Sequence, residues 1–274
     1  FEMNNIEGWG GPLPEGWYPH QEALQKHILS RMREWGMDPV LPGYSGMVPH
    51  DASTRLGLDA PAQGLWNNIV CPAILSPTDP RFAQTAAMYY EEQAKLFGKA
   101  DYYSMDPFHE SGNVGGVDFA EAGKAVLRAM QAVSPKAKWV IQAWSENPRD
   151  EMLSALPNGE VLVLDLFSEC RPKWGQKESV WYGENGFFGH DWLFCLLQSF
   201  GGRTGLHGRM GELVENYELA RKESAALRGI GFTMESTGDN PVMYELTSEL
   251  PWREKVDLRE WLHGYVQARY GASD

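Results

Sequence analysis

The chain has 274 residues, enough for one large domain or two small ones, and 43% of them are hydrophobic, which supports a real core. The 24 Lys and Arg residues against 37 Asp and Glu give a net charge of −13. This balance disfavours binding to nucleic acid or to an anionic membrane, because both select basic patches.

The sequence lacks the patterns of a membrane-spanning, a disulfide-linked or a zinc-binding protein. No apolar run approaches the roughly 20 residues of a membrane-spanning helix. The three cysteines, Cys71, Cys170 and Cys195, suit neither a disulfide framework nor a zinc site. Cys195 lies in WLFCLL, where it is predicted to be a small buried hydrophobic residue.

Helical and strand patterns alternate along the chain. The first helix, at 19–35, has Leu24, Ile28, Met32 and Trp35 along one face. The helix at 80–97 has Asp79 as N-cap, Pro80 at its first position and Gly98 as C-terminal cap. Its apolar face carries Phe82, Ala86, Tyr89, Tyr90 and Phe97. Further helices are predicted at 117–133, 149–155, 209–227, 241–249 and 255–270, and strands at 37–43, 101–106, 138–144, 160–167, 192–200 and 229–234.

This alternation predicts an α/β fold with about six strand–helix units. The strands are almost continuously apolar, as expected for a parallel sheet covered on both faces. Either a doubly wound sheet or six of the eight units of a (β/α)₈ TIM-type barrel fits the pattern. Since the chain begins at Phe1 and not at a methionine, we expect a fragment of a longer protein; under the barrel alternative, 1–274 would form one partial barrel domain.

Seven carboxylates lie near predicted strand ends, where α/β barrels place their chemistry. They are Asp106, Glu110, Glu146, Asp165, Glu169, Glu235 and Asp239. For each of them a salt bridge or a helix cap is the alternative role. Glu110 and Glu235 stand out because aromatic and glycine residues surround them, in FHESGN and FTMESTGDN. Apolar neighbours raise the pKa of a carboxyl group and favour an acid catalyst, and two facing carboxylates can cleave a glycosidic bond.

Some of the 11 tryptophans fit a sugar-binding role, although core packing accounts for most of them. Trp66, in GLWNN, and Trp144, in QAWSEN, are candidates for stacking on a pyranose ring. His109 directly precedes Glu110 and is a candidate for bonding a substrate hydroxyl, with a structural role as the alternative. The histidines and cysteines do not have metal-ligand spacing.

The loop GGRTGLHGRMG, 201–211, follows a predicted strand and opens a helix. It matches neither of the glycine-rich phosphate-binding motifs, so a tight strand-to-helix connection is the favoured interpretation. A nucleotide- or phosphosugar-binding protein that uses this loop stays open as a hypothesis.

Several sequence blocks, in order along nearly the whole chain, resemble the α-N-acetylglucosaminidase family of glycoside hydrolases. They are GWGGPLP (8–14), GMDPVLPGYSGMVP (36–49), FHE (108–110), VLVLDLFSE (161–169), SFGG (199–202) and the ME…YEL…ELPWR run (234–253). The resemblance implies a retaining exo-enzyme on a (β/α)₈ barrel. It also implies that an N-terminal domain, the first barrel strands and a C-terminal helical domain are absent from this chain.

The resemblance assigns roles to individual residues. Glu110 matches the acid/base and Glu235 the nucleophile. Trp66 and Trp144 match pocket tryptophans, and Leu166 and Phe200 match apolar pocket positions. The implied substrate is a heparan-derived or mucin-type glycan with terminal α-linked N-acetylglucosamine, and family members are lysosomal or exported.

The chemistry of an α-linked N-acetylglucosaminide agrees with this resemblance. The acetamido group is cis to the leaving oxygen and cannot attack from the back, so the protein must supply the nucleophile. Retention then predicts carboxyl groups about 5–5.5 Å apart, and roughly 6.5–9.5 Å would indicate inversion. No metal or organic cofactor is needed. A non-catalytic sugar-binding domain with stacking tryptophans is the alternative function.

Overall fold

A computed structural model describes residues 13–66, 68–108, 115–175, 185–198, 207–235 and 239–271, with the backbone alone for Trp66, Ile69 and Asn185. The chain divides into two compact units. The first unit is Phe1–Ile141 with Asn147–Val161, and the second unit is Gln142–Glu146 with Leu162–Asp274.

In the described residues of the first unit, strands alternate with helices. Its helices are α1 (Trp17–Glu34), α2 (Ala52–Leu56), α3 (Phe82–Phe97), α4 (Phe119–Val133) and α5 (Asp150–Ser154). Its strands are β1 (Val40–Pro42), β2 (Met47–Val48), β3 (Leu65–Trp66), β4 (Ile69–Val70), β5 (Ala73–Ile74), β6 (Tyr102–Ser104) and the larger part of β7 (Lys138–Ala143).

Three parallel strands carry the core of the first unit. In the β1–β6–β7 order, Val40 pairs with Tyr102, and Tyr102 with Lys138. Trp139 is fully buried on β7, and its indole Nε1 donates to the Met105 carbonyl at 2.9 Å. This bond satisfies the one polar atom of the side chain, which lets a tryptophan lie in the core. The short pairs β2–β5 and β3–β4 are antiparallel.

The predicted apolar face of α1 is not its buried side. Leu24, Ile28 and Trp35 are exposed, and Leu29 is the buried residue of this helix. The helix packs on α3, where Arg33 Nη2 donates to the Phe97 carbonyl at 3.2 Å. Periodicity identified the helix but not the side that meets a neighbour.

Helix α3 begins two residues later than predicted, with Arg81 at the N-cap position. Asp79 accepts the backbone N–H of Arg81 at 2.8 Å and so closes the preceding turn. The predicted apolar face is confirmed for three residues, since Phe82, Ala86 and Tyr90 are buried. Gly98 ends the helix with a φ of 79° that favours glycine.

The second unit repeats the alternation. Its strands are β8 (Val161–Asp165), β9 (Asp191–Leu196) and β10 (Leu227–Phe232). The first residue of β8, Val161, belongs to the first unit. Its helical segments are the single turn α6 (Asn185–Phe188), α7 (Met210–Glu223), α8 (Pro241–Glu249), a 3₁₀ turn (Leu250–Trp252) and α9 (Leu258–Tyr270). β8 pairs with β9 and β9 with β10, both in parallel.

The core of the second unit is built on β9. Trp192, Phe194, Cys195 and Leu196 are all fully buried, which confirms the prediction for Cys195. A Cβ atom on Gly231 of β10 would come within 2.6 Å of Cys195 Sγ, so glycine is the residue that lets the two strands pair here. The Trp174 and Trp192 rings stack with centroids 5.6 Å apart, in a packing role.

Two buried carboxylates hold the chain just beyond β8. Asp165 Oδ2 accepts the backbone N–H groups of Lys173 and Trp174 at 2.8 and 3.2 Å. Glu169 Oε1 accepts the N–H groups of Leu197 and Gln198 at 3.2 and 2.6 Å. Burial raises the pKa of each carboxyl group to about 7, although the backbone donors act in the opposite direction.

The order and type of the predicted longer elements are confirmed, and helix 241–249 has the predicted bounds. Most other ends differ by one to four residues, with strand 192–200 observed as 191–196 and helix 209–227 as 210–223. None of the described helices has the length and apolar character to cross a membrane.

The raised pKa of Glu169 predicts a pH-dependent stability. The ordinary value of 4.5 applies to the unfolded chain, so the folded state binds more protons between that value and about 7. Stability therefore falls as pH rises through this window. Glu169→Gln keeps an oxygen acceptor for the backbone but has no proton to lose. We expect it to reduce the fall in unfolding free energy between about pH 5 and pH 8 by roughly 1–3 kcal/mol, measured by urea unfolding.

Glu215→Gln is the matched control, because Glu215 is exposed on α7 and the charge change is the same. The control should keep the pH dependence of the unmodified protein. Equal flattening by both variants would show that net charge, and not the burial of Glu169, sets the slope.

Candidate active site

Three of the predicted site residues, His109, Glu110 and Phe200, lie outside the described residues. The described chain before this segment ends at Phe108, whose buried ring packs edge-on against Phe119 with centroids 5.1 Å apart. It resumes at Gly115, on the wall of a cavity of about 880 Å³ in the first unit that Asp118 and Glu121 also line. The described chain is therefore packed at Phe108 and resumes on a cavity wall at Gly115.

Glu235 lies three residues beyond the end of β10 and is exposed. The chain leading to it is fixed by Thr233, whose backbone N–H donates to the Leu196 carbonyl at 3.0 Å. This bond extends the contact of β10 with β9 by one residue past the strand. Glu235 therefore stands at the carboxyl end of a parallel strand, where its carboxylate is accessible.

Trp144 directly follows β7 and is half-buried. Its ring lies beside Phe167, with centroids 6.3 Å apart and planes inclined by 34°. Nearby, the buried Lys173 Nζ donates to the Ser145 carbonyl at 3.1 Å and fixes the turn after the tryptophan. The indole is thus half-buried beside Phe167, next to a turn that Lys173 fixes.

Leu166 directly follows β8 and is half-buried. Its N–H donates to the Ala143 carbonyl at 3.5 Å, and its carbonyl accepts from Thr233 Oγ1 at 3.0 Å. These bonds connect the ends of β7, β8 and β10. The second unit therefore brings three predicted site residues, Trp144, Leu166 and Glu235, to the same ends of its strands.

Trp66 is placed by its backbone in β3, where it pairs with Ile69 in an antiparallel hairpin. Its strand belongs to the first unit, as does the sequence position of Glu110. The role predicted for the indole of Trp66 stays a prediction.

Burial distinguishes the remaining carboxylates that the sequence left equivalent. Asp165 and Glu169 are buried and accept backbone N–H groups, which gives them a structural role. Asp106 accepts from Asn147 Nδ2 at 2.8 Å, and Asp239 accepts from the Tyr244 hydroxyl at 2.8 Å. Glu146 is exposed. Of the six that the structure describes, Glu146 and Glu235 combine exposure with a position three residues beyond a parallel strand.

Two residues of this region were missed by sequence reasoning. Thr233 connects the strand ends, and Asn216 Nδ2 lies 3.3 Å from the carbonyls of both Ser168 and Glu169. A threonine at the end of a strand and an asparagine inside a helix have no sequence signal of their own. Their importance arises from the carbonyl groups that distant segments bring to them.

The described part of the 201–211 loop begins at His207. Its carbonyl accepts from Gln198 Nε2 at 2.9 Å and from Asn240 Nδ2 at 3.3 Å. Arg209 pairs with Glu212 in the first turn of α7. Residues 201–206 lie outside the described residues, so the tight connection predicted for this loop stays a prediction. In the described chain, His, Cys, Asp and Glu side chains do not form a group of three or more that could hold a metal ion.

Comparison with protein families gives a match over most of the chain. Residues 1–254 match the model of the α-N-acetylglucosaminidase tim-barrel domain. The human α-N-acetylglucosaminidase is 34% identical over 291 residues, a region that covers 99% of this chain and 38% of the human protein. The match therefore spans well under half of the human protein.

Solved structures agree with the sequence comparison. A family 89 glycoside hydrolase from Clostridium perfringens in complex with PUGNAc has a TM-score of 0.89 and 33% identity, covering 97% of this chain and 30% of that one. A form of the Clostridium protein with two Glu→Gln changes, in complex with its substrate GlcNAc-α-1,4-galactose, has a TM-score of 0.89 and 32% identity over the same shares. The incomplete (β/α)₈ TIM-type fold is thereby confirmed over the doubly wound alternative. The chain belongs to the α-N-acetylglucosaminidase family of glycoside hydrolases, family 89.

Proposed function

We propose that this chain carries the catalytic machinery of a retaining exo-glycosidase that removes terminal α-linked N-acetylglucosamine from glycans. Glu235 is the nucleophile and Glu110 the acid/base. The observation that carries the proposal is the accessible carboxylate of Glu235 at a parallel strand end, in a chain whose residues 1–254 match this family.

The configuration of the substrate dictates an enzymic nucleophile. In an α-linked N-acetylglucosaminide the acetamido group and the leaving oxygen lie on the same face of the ring. The acetamido oxygen cannot reach the anomeric carbon from the opposite face, so substrate assistance is closed. For retention of configuration, a carboxylate of the protein must therefore make that attack, as in other retaining glycosidases with two carboxyl groups.

The reaction proceeds in two displacements. Glu110 donates its proton to the glycosidic oxygen while a Glu235 carboxylate oxygen bonds to the anomeric carbon and the aglycone leaves. Glu110, now ionised, takes a proton from water, and that water displaces Glu235. The sugar is released with its α configuration, and both carboxyl groups return to their starting states.

The remaining site residues bind the sugar. The half-buried Trp144, supported by Phe167, offers an aromatic face to the apolar side of a pyranose ring. Leu166 supplies an apolar wall beside it, and Trp66 and Phe200 add further apolar surface. His109 bonds a substrate hydroxyl. The complex of the Clostridium protein with GlcNAc-α-1,4-galactose supports this substrate class.

Turnover of paired anomers tests the proposal. The full-length natural protein should release 4-nitrophenol from the α-N-acetylglucosaminide and not from the β-anomer, because the nucleophile faces only one side of the ring. Proton NMR of the first product should show α-N-acetylglucosamine before mutarotation. Release from neither anomer would favour the sugar-binding alternative, and a β first product would mean inversion.

Replacement of the nucleophile should abolish turnover. Glu235→Gln keeps the side-chain volume but removes the negative charge that attacks the anomeric carbon. We expect kcat to fall by at least about a thousandfold, measured with the 4-nitrophenyl α-substrate. Glu146→Gln, at another exposed glutamate near a strand end, is the matched control and should stay within about threefold.

The acid/base variant should have a different kinetic signature. With a good leaving group, Glu110→Ala still forms the glycosyl-enzyme but lacks the base that activates water. We expect a stoichiometric burst of 4-nitrophenol followed by slow turnover, and azide should speed the second phase because it needs no base. A variant without a burst that is also insensitive to azide would assign the acid/base role to another residue.

A further inference from the structure

The hydroxyl of Thr233 makes a connection that the backbone of the sheet does not. Strand pairing joins β10 to β9, and β9 to β8. Thr233 Oγ1 lies 3.0 Å from the Leu166 carbonyl, beyond β8, and 3.3 Å from the Leu196 carbonyl, at the end of β9. One side chain therefore ties the end of β10 to the ends of the two preceding strands.

The carbonyl groups that Thr233 binds are themselves held in place. The chain after Leu196 is fixed by Glu169, whose carboxylate accepts the N–H groups of Leu197 and Gln198. The Glu169 backbone is in turn anchored by Asn216. Leu166 donates its own N–H to the Ala143 carbonyl. Thr233 thus bonds to a framework that is fixed on both sides.

Glu235 follows Thr233 by two residues and lies past the last ladder pair of β10, which is Phe232 with Leu196. A nucleophile must be held close to its productive position, since a displacement of about 1 Å can cost on the order of a hundredfold in rate. The bonds of Thr233, two residues earlier, fix the point from which the chain carrying Glu235 leaves the sheet.

We propose that Thr233 is a positioning residue for the reaction, which sets the position of Glu235 relative to the sugar-binding wall at Leu166 through its hydroxyl. The inference rests on the proposed function, because it takes Glu235 as the nucleophile. The hydroxyl is required, and the shape of the side chain is not. Valine would fill the same space without the bond, whereas serine would keep the bond without the methyl group.

Three variants of the full-length natural protein separate this role from simple stabilisation. Thr233→Val removes the hydroxyl, and Thr233→Ser retains it. Thr247→Val is the matched control, because Thr247 is fully buried in the same unit and its hydroxyl also donates to a backbone carbonyl, that of Met243, at 2.7 Å. The measurements are kcat with the 4-nitrophenyl α-substrate, the inhibition constant of N-acetylglucosamine, and Tm.

We expect Thr233→Val to lower kcat by about 10- to 100-fold and to leave the inhibition constant within about threefold. Thr233→Ser should restore kcat to within about threefold of the unmodified protein. Thr247→Val should lower Tm by as much as Thr233→Val while kcat stays within about twofold. A Thr233→Val protein with nearly normal kcat, or a serine variant as impaired as the valine variant, would overturn the proposal.

Glu235→Gln is assayed in the same series to separate the two proposals. If Glu235→Gln is inactive and Thr233→Val is unimpaired, the positioning role fails and the proposed function stands. If Glu235→Gln turns over normally, the proposed function fails and the positioning role fails with it.

Discussion

The carboxylate of Glu169, buried beyond β8, accepts the backbone N–H groups of Leu197 and Gln198 as the chain leaves β9. Ladder pairing has ended there, and a buried N–H group without an acceptor costs free energy. Glu169 supplies that acceptor, and Thr233 supplies the corresponding bond at the end of β10. The positions of Leu166 and Glu235 depend on this set of side-chain-to-backbone bonds.

Burial separates the carboxylates that hold the structure from those that are available for chemistry. Asp165 and Glu169 lie in the interior, where burial raises the pKa of each and where backbone N–H groups donate to Asp165 Oδ2 and to the Glu169 carboxylate. Such groups make poor nucleophiles because a substrate cannot reach them. Glu235 is exposed at the same ends of the strands. The second unit thus uses acidic residues both as internal supports and as the proposed reactive group.

The proposed mechanism follows from the geometry of the substrate as much as from that of the protein. An α-linked N-acetylglucosaminide cannot supply its own nucleophile, which makes an accessible and well-placed carboxylate indispensable. The chain meets this need with Glu235 on an anchored strand end, beside the supported ring of Trp144. Rigid strand ends hold a reactive group more accurately than a loop does. The anchor at Thr233 is therefore as relevant to rate as to stability.

The sequence by itself determined the alternation of helices and strands, the buried face of α3 at Phe82, Ala86 and Tyr90, and the family. Periodicity and ordered motifs are local properties that a single chain displays. Tertiary structure alone decided that Leu29 is the buried residue of α1, that Asp165 and Glu169 are supports, and that Thr233 joins three strand ends. Each of these depends on which backbone groups a distant segment leaves to be satisfied, and only the folded chain brings those groups together.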